Sequence, residues 1–296
     1  MGYNTQALPD YVEQNKSELT AKLCLSGNTI SKIATQVGVK GVTQINLLDI
    51  DLQTQDGSAC TFNAQGGATL TGRNLDSKIM AVAMDFCEKD LRNKWLQEEV
   101  TIAAVGGDMP VERKIIDGVI SKMQAKIEKT IWNGKVSNGN GEWDGFVNVD
   151  HTGMITNTGS KANIYEAAKK AYTALPEDVL DSGADIVMFM ASGDYRALVQ
   201  ELVAKNLFHV DAHEGAGEIY LPGTDCKIIS TPGLNGTNKI YCSYAENFVF
   251  GTDALGDEEK VDFWYSQDSR NYKLYISMNG ACNFKFPDLV SEVTLE

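Results

Sequence analysis

The sequence predicts an α+β fold, and three observations carry that prediction. The first is a long amphipathic helix over residues 109–132. Val111, Ile115, Ile116, Val119, Ile120, Met123, Ile127 and Ile131 recur at steps of three and four and form one apolar stripe. Glu112, Arg113, Lys114, Asp117, Lys122, Lys126, Glu128 and Lys129 cover the rest. The second is a change to period two from Val42, in VTQINLLDIDLQT, as in a half-buried strand. The third is the apolar run DIVMFM (Asp185–Met190), of strand length and apolar enough to be buried on both faces, with a helical pattern directly after it. That strand-then-helix order is not repeated regularly enough for a doubly wound sheet.

Taken in order, residues 1–41 read as an arm. Tyr11, Leu19, Leu23 and Leu25 are thinly spread, Ser26–Asn28 is a break, and a short helical pattern runs from Ile30 to Val37. The arm is too weakly hydrophobic to fold alone and is expected to lie against something else, such as another chain. Ile45, Leu47 or Leu48, Ile50 and Leu52 then alternate with polar residues. Asp56-Gly57 is a strong hairpin signal, and Gly66-Gly67 marks a second turn. The stretch Gln44–Arg73 is polar and glycine-rich, with little to build a core. A lone two-stranded hairpin is marginal in water, so this one is expected to project and settle on a neighbour. Ile79–Cys87 suits a strand or a helix, and Glu88–Glu99 reads as helical with Leu91, Trp95 and Leu96 on one side.

The long helix is a spine. Asp108 suits its N-cap, Pro110 sits in the first turn, and Asn133-Gly134 offers a residue that tolerates positive φ to stop it. At 1.5 Å per residue it is roughly 35 Å long. Gly118 costs about 1 kcal/mol relative to alanine, which implies close packing there. Beyond the turn NGKVSNGNGEWDG comes a second helix, with Ile164, Ala167, Ala168, Ala171, Tyr172 and Leu175 as its stripe and Pro176 as its end. After DIVMFM, Ser192 is a natural N-cap for a helix lined by Tyr195, Leu198, Val199, Leu202 and Val203. KIYCSYAENFVFGTD reads as one or two strands, and FWYSQDSRNYKLYISMNGACNFKFP as an antiparallel pair turning near Asp268–Asn271.

Composition narrows the function classes. The chain has 296 residues, 43% hydrophobic and 22% charged, which is ample for a core. No apolar run approaches the ~20 residues that span a bilayer, and the polar start MGYNTQALPDYVEQNKSEL lacks the apolar core of a signal peptide. A formal charge of −14 opposes nucleic acid as a gripped ligand, since phosphates are repelled. Cys24, Cys60, Cys87, Cys226, Cys242 and Cys282 form no C-x-x-C pair, so reduced and mostly buried thiols are expected.

Chemical motifs are sparse. Gly139, Gly141 and Gly145 are one residue too widely spaced for a dinucleotide loop and follow a helix rather than a strand. No nucleophile elbow exists; Met190-Ala191-Ser192-Gly193 lacks the first glycine. His209 and His213 lie four apart with Asp211 and Glu214 nearby, but in a glycine-containing loop, where a solvated surface is the reading. Asp253, Asp257, Glu258, Glu259 and Asp262 lack the spacing of a calcium loop. No catalytic, cofactor-binding or metal-binding residue is therefore assigned, and no cofactor is expected.

Several phrases, in their order, resemble the major capsid proteins of tailed bacteriophages, with the shell fold known from phage Hong Kong ninety-seven. They are the spine end KTIWNG (Lys129–Gly134) with WDGFVN (Trp143–Asn148), DIVMFMASGDYRALVQ (Asp185–Gln200), YLPGTDCKII (Tyr220–Ile229), and the closing stretch from GTDALGDEEKVDFWYSQDSRNYK to FPDLV. The resemblance implies an N-terminal arm at 1–41 and an extended β-hairpin loop at 42–87, with strand for Ile79–Cys87. It implies a peripheral domain with the spine helix at 88–150, an axial domain at 151–250, and returning peripheral strands at 251–296. The implied role is assembly into pentamers and hexamers of an icosahedral shell that encloses double-stranded DNA without sequence-specific binding. Arm and hairpin would contact neighbouring subunits, and portal, scaffolding and decoration proteins are implied partners, with no membrane. The implied location is the virion capsid, built in the bacterial host cytoplasm. Some relatives cross-link a hairpin lysine to an asparagine; no lysine lies between Val42 and Ser77 here, which argues against that chemistry. Two other readings remain: an encapsulin-like compartment shell, and a hydrolytic enzyme using His209 or His213. Unchanged particle assembly with alanine at both histidines would discard the enzyme.

Overall fold

The computed structural model describes residues 29–51, 53, 66–87, 111–207, 218–253, 260–269 and 271–296. The arm before Thr29, the Asp56-Gly57 turn, the helix expected at Glu88–Glu99, the Asp108 cap, His209, His213, Cys24, Cys60, Asp257, Glu258 and Glu259 all lie outside them. Thirteen strands are described: β1 (Ala34–Val37), β2 (Val42–Asp51), β3 (Gly67–Asp76), β4 (Lys78–Cys87), β5 (Ile155–Gly159), β6 (Ile186–Ala191), β7 (Glu218–Tyr220), β8 (Lys227–Thr231), β9 (Lys239–Tyr244), β10 (Phe248–Thr252), β11 (Lys260–Ser266), β12 (Asn271–Phe284) and β13 (Ser291–Leu295). The described α-helices are α1 (Val111–Asn133), α2 (Ile164–Thr173), α3 (Glu177–Leu180) and α4 (Ser192–Ala204).

The strands form three sheets among the described residues. The first runs β1-β10-β12-β11, with β4 also on β12; the second runs β5-β13-β9-β6-β8-β7; the third is the β2–β3 hairpin alone. The 14-residue strand β12 is the axis of the first sheet, pairing with β10 at one end and with both β11 and β4 along the other. The stretch Ile79–Cys87 is thus a strand, satisfied along its length by β12. The helical pattern read at Ile30–Val37 is corrected: Ile30–Lys32 is a single 3-10 turn, and Ala34–Val37 pairs in parallel with β10.

β6 is buried at every residue, as its continuous apolar run requires. Val187, Phe189 and Ala191 face one core; Ile186, Met188 and Met190 face another, beneath α2 and α4. The first core is shared by both large sheets and by α1, through Ile120, Met123, Ile127, Ile131 and Trp132. Trp132 is fully buried and its ring lies 5.0–6.2 Å from those of Phe189, Phe146, Tyr241 and Phe248. The spine helix therefore ends where the two sheets meet. β13 lies between β5 and β9, so the closing stretch 251–296 is divided between the sheets, β11 and β12 in the first and β13 in the second.

Three local expectations are revised. Gly118 is exposed and a Cβ there would meet nothing within 4 Å, so no packing explains it. Gly134 stops the helix by close approach rather than positive φ: a Cβ would fall 2.4 Å from Trp143 O, and one on Gly145 would fall 2.5 Å from Thr130 O. These glycines let the following segment bind the helix end, with Gly145 N donating to Gly134 O, Phe146 N to Ile131 O and Val147 N to Trp132 O at 2.9–3.0 Å. Ser192 does not cap α4 with its side chain; Asn235 does, its Oδ1 accepting from Ser192 N at 3.0 Å.

Candidate assembly surface

The hairpin is built with one side tied to the molecule and one side open. In β2, Ile45 and Leu47 alternate inward, and with Leu75 of β3 they pack on Val39, Val249 and Ala281. Of the Leu47/Leu48 pair, Leu47 is the inward residue and Leu48 faces out. Leu48 and Leu70 are cross-strand partners on the outer face, 54% and 74% exposed, and Val42 is exposed on the same face. The hairpin root is fixed by polar contacts: Ser77 N and Oγ both donate to Gly41 O, Asn283 Nδ2 to Asn74 O, and Arg73 Nη2 to Asp150 O and Asn283 Oδ1. An anchored root with apolar residues facing away from their own core is a surface that gains by being covered.

The second open face lies on the three strands β4, β12 and β11. Ile79, Ala81, Ala83 and Trp264 are exposed there, in register with buried or half-buried Asn279, Ser277, Tyr275 and Lys273 of β12, respectively. The opposite face of the same strands carries Met80, Val261, Leu274 and Ile276 into the core with α1.

Thr29, the first described residue, forms a buried polar latch. Thr29 N donates to Glu128 Oε2 at 3.2 Å, Thr29 Oγ1 donates to Glu128 Oε1, and Trp132 Nε1 donates to Thr29 Oγ1 at 2.9 Å. Glu128 belongs to the buried side of the spine helix, not to the polar face that its charge suggested. Burial pushes its carboxyl above the usual range, against the two hydrogen bonds from Thr29. Because folding raises this pKa, the group favours the fold fully below the unfolded carboxyl pKa, and that advantage is lost as pH rises through the folded value. Gln at this position removes the buried charge; its oxygen accepts from Thr29 N, while its amide nitrogen faces the Thr29 hydroxyl, which gives up its own donation there. We expect Glu128→Gln to be about 1 kcal/mol more stable than the parent at pH 8, with the difference shrinking toward pH 4, by urea unfolding at both pH values.

Among the described residues, the others singled out in the sequence are not brought into one place. Asp253 is 2% exposed and pairs with Lys40 at 3.5 Å, while Asp262 lies in β11 opposite Tyr275. Among the described residues no three His, Cys, Asp or Glu side chains gather as a metal site, and no helix is long and apolar enough to cross a membrane. Cys226, Cys242 and Cys282 are free and buried, and Cys87 is free and exposed. Sequence reading missed the latch and the pairing of His151 Nδ1 with Glu292 Oε2 at 3.2 Å. A charged residue beside Ile127 and Ile131 in the spine was the one signal for the latch; none pointed to Glu292.

No family model matches the sequence, and no curated protein matches it either. Solved structures do. The satellite phage P4 procapsid aligns over 100% of this chain and 92% of its own at 10% identity, with a TM-score of 0.63. The capsid of the native GTA particle aligns over 93% and 90% at 10% identity, with a TM-score of 0.61. The virus-like particle from Pyrococcus furiosus aligns over 96% and 99% at 11% identity, with a TM-score of 0.57. At these identities the likeness is one of architecture, carried over nearly the whole chain: it has the shell fold of tailed-phage capsid proteins.

Proposed function

We propose that the chain is a major capsid protein that assembles into pentamers and hexamers of an icosahedral shell around double-stranded phage DNA, built in the bacterial cytoplasm and retained in the virion. The observation that carries this reading is the pairing of a near full-length capsid fold with a hairpin whose Leu48–Leu70 face is exposed and uncovered among the described residues. In this reading segment 42–87 reaches over an adjacent subunit through the outer face of β2 and β3, the arm of 1–41 runs from the Thr29 latch toward another, and 151–250 surrounds the capsomer centre. The stretches 88–150 and 251–296 supply the body of the shell wall. Portal, scaffolding and decoration proteins are the other partners, and the role is structural, with no catalytic residue. The formal charge of −14 suits a container that holds DNA without gripping it.

A compartment shell of the encapsulin kind is the second reading, favoured by the likeness to the Pyrococcus furiosus virus-like particle. Negative-stain microscopy of the expressed chain is expected to show shells, capsomer rings or tubes. A persistent monomer at high protein concentration defeats both readings, and shells that consistently retain a folded protein cargo favour the second.

A further inference from the structure

The chain holds Asn-Gly pairs at Asn133, Asn138, Asn140, Asn235 and Asn279. In such a pair the glycine amide nitrogen can close on the carbonyl carbon of the asparagine side chain, because the glycine has no side chain to obstruct the ring. Closure needs a free amide and a side chain able to swing. A hydrogen bond to either one holds it back. The fold therefore decides which pair can react.

All but one of the pairs are held. Gly134 N donates to Thr130 O at 2.9 Å. Gly139 N donates to Val136 O at 3.2 Å, and the Asn138 side chain is fixed as well, its Nδ2 donating to Glu142 Oε2 at 3.0 Å. Asn235 Oδ1 accepts from Ser192 N at 3.0 Å, where it caps α4. Asn279 is 2% exposed inside β12, and its Nδ2 donates to Val39 O at 3.2 Å. Asn140 shares none of these restraints. It is exposed, in a bend outside any helix or strand. Among the described residues neither its side chain nor the Gly141 N–H has a hydrogen-bond partner. The fold also requires the glycine that makes the pair reactive: Gly141 has φ 71°, and a Cβ there would fall 2.6 Å from Ile79 O.

We propose that Asn140 is a self-modifying site, which turns the age of the chain into a covalent mark on the turn after the spine helix. Gly141 N gives its proton to solvent and attacks Asn140 Cγ. The N–Cγ bond forms, the Cγ–Nδ2 bond breaks, and Nδ2 leaves as ammonia with a proton taken back from solvent. Water then adds to one of the two carbonyl carbons of the cyclic imide, and the bond from that carbon to the ring nitrogen breaks. Opening at the side-chain carbonyl leaves an aspartate. Opening at the main-chain carbonyl leaves an isoaspartyl link, in which the chain runs through the side chain. Nothing is oxidised or reduced, and either product adds a negative charge. That charge arrives two residues from buried Glu142, whose carboxylate is bonded by Lys126 Nζ. The isoaspartyl link also adds a backbone carbon directly ahead of Gly141, which packs on β4 at Ile79 and Met80. The site does not depend on the shell reading.

The test incubates the intact, folded chain in a mildly alkaline buffer and follows its peptides by mass spectrometry. The peptide carrying Asn140 should gain about 1 Da on the order of tenfold faster than those carrying Asn133, Asn235 or Asn279. Fragmentation should place the change at Asn140 rather than Asn138 and find both isoaspartate and aspartate there. In the chain unfolded by guanidinium chloride, all the pairs should convert at similar rates, since the fold no longer tells them apart. Asn140→Gln should remove the fast conversion and leave the slower sites as they are. An unchanged Asn140, another pair converting as fast, a gain in mass without isoaspartate, or the same ranking in the unfolded chain each overturns the proposal.

Discussion

Trp132→Ala is expected to destabilise the folded subunit by about 3–5 kcal/mol, a large fraction of what holds a domain together. The residue is 0% exposed and sits among four aromatic rings drawn from the α1 exit, β6, β9 and β10, so its loss opens a cavity at the one point where both sheets and the spine helix touch. Its Nε1 also donates to Thr29 Oγ1, so the arm loses one side of its latch. Trp132→Phe separates these effects: it keeps most of the packing, removes only the donor, and should cost about 1 kcal/mol by urea unfolding. Equal losses for the two variants would mean that the hydrogen bond, and not the packing, dominates the site.

Aspartate at both Leu48 and Leu70 is expected to leave the subunit folded and to abolish assembly. Both side chains point away from their own core, so the subunit should lose only about 1 kcal/mol, from two like charges facing each other across the hairpin. Each leucine is worth roughly 1.5–3 kcal/mol when buried against a partner, so losing two weakens every contact by more than about a hundredfold. Sedimentation of the variant should show folded subunits where the parent gives particles, with an unfolding midpoint lowered only slightly. Leu47→Asp is the contrast, since it strikes the anchored face and should loosen the hairpin root itself. Particles formed normally by the Leu48 and Leu70 variant would remove this face from the assembly contacts.

What the sequence made legible was whatever its own period encodes. The spine stripe, the doubly buried β6 and the two-period strand β2 could be read because the apolar spacing of each is local. What stayed hidden depends on partners far along the chain. Ile30–Val37 has a helical spacing, yet β10 offers Ala34–Val37 a parallel edge that no local pattern announces. Gly134 looked like a turn residue and proved to be a point of backbone contact, because the strand-like exit doubles back onto the helix. Glu128 was assigned to solvent by its charge, and partners distant in sequence bury it: Thr29 bonds its carboxylate and the turn at Pro232–Leu234 packs on its backbone. The hairpin itself was legible from its period and turn signals, but its apolar anchoring on Val39, Val249 and Ala281, and the choice of Leu48 over Leu47 as the outward residue, needed the fold and the register with β3.

The position of β13 sets the order in which the molecule can be made. β5 and β9 both take their hydrogen bonds from it, and β5 has no other strand partner among the described residues. On the ribosome, residues 155–159 therefore emerge long before the strand that holds them, and the second sheet must wait for residue 295 to leave the exit tunnel. Until then the second sheet lacks the strand that joins β5 to β9. In the proposed shell, a nascent chain without β13 is thereby kept from joining its neighbours by topology.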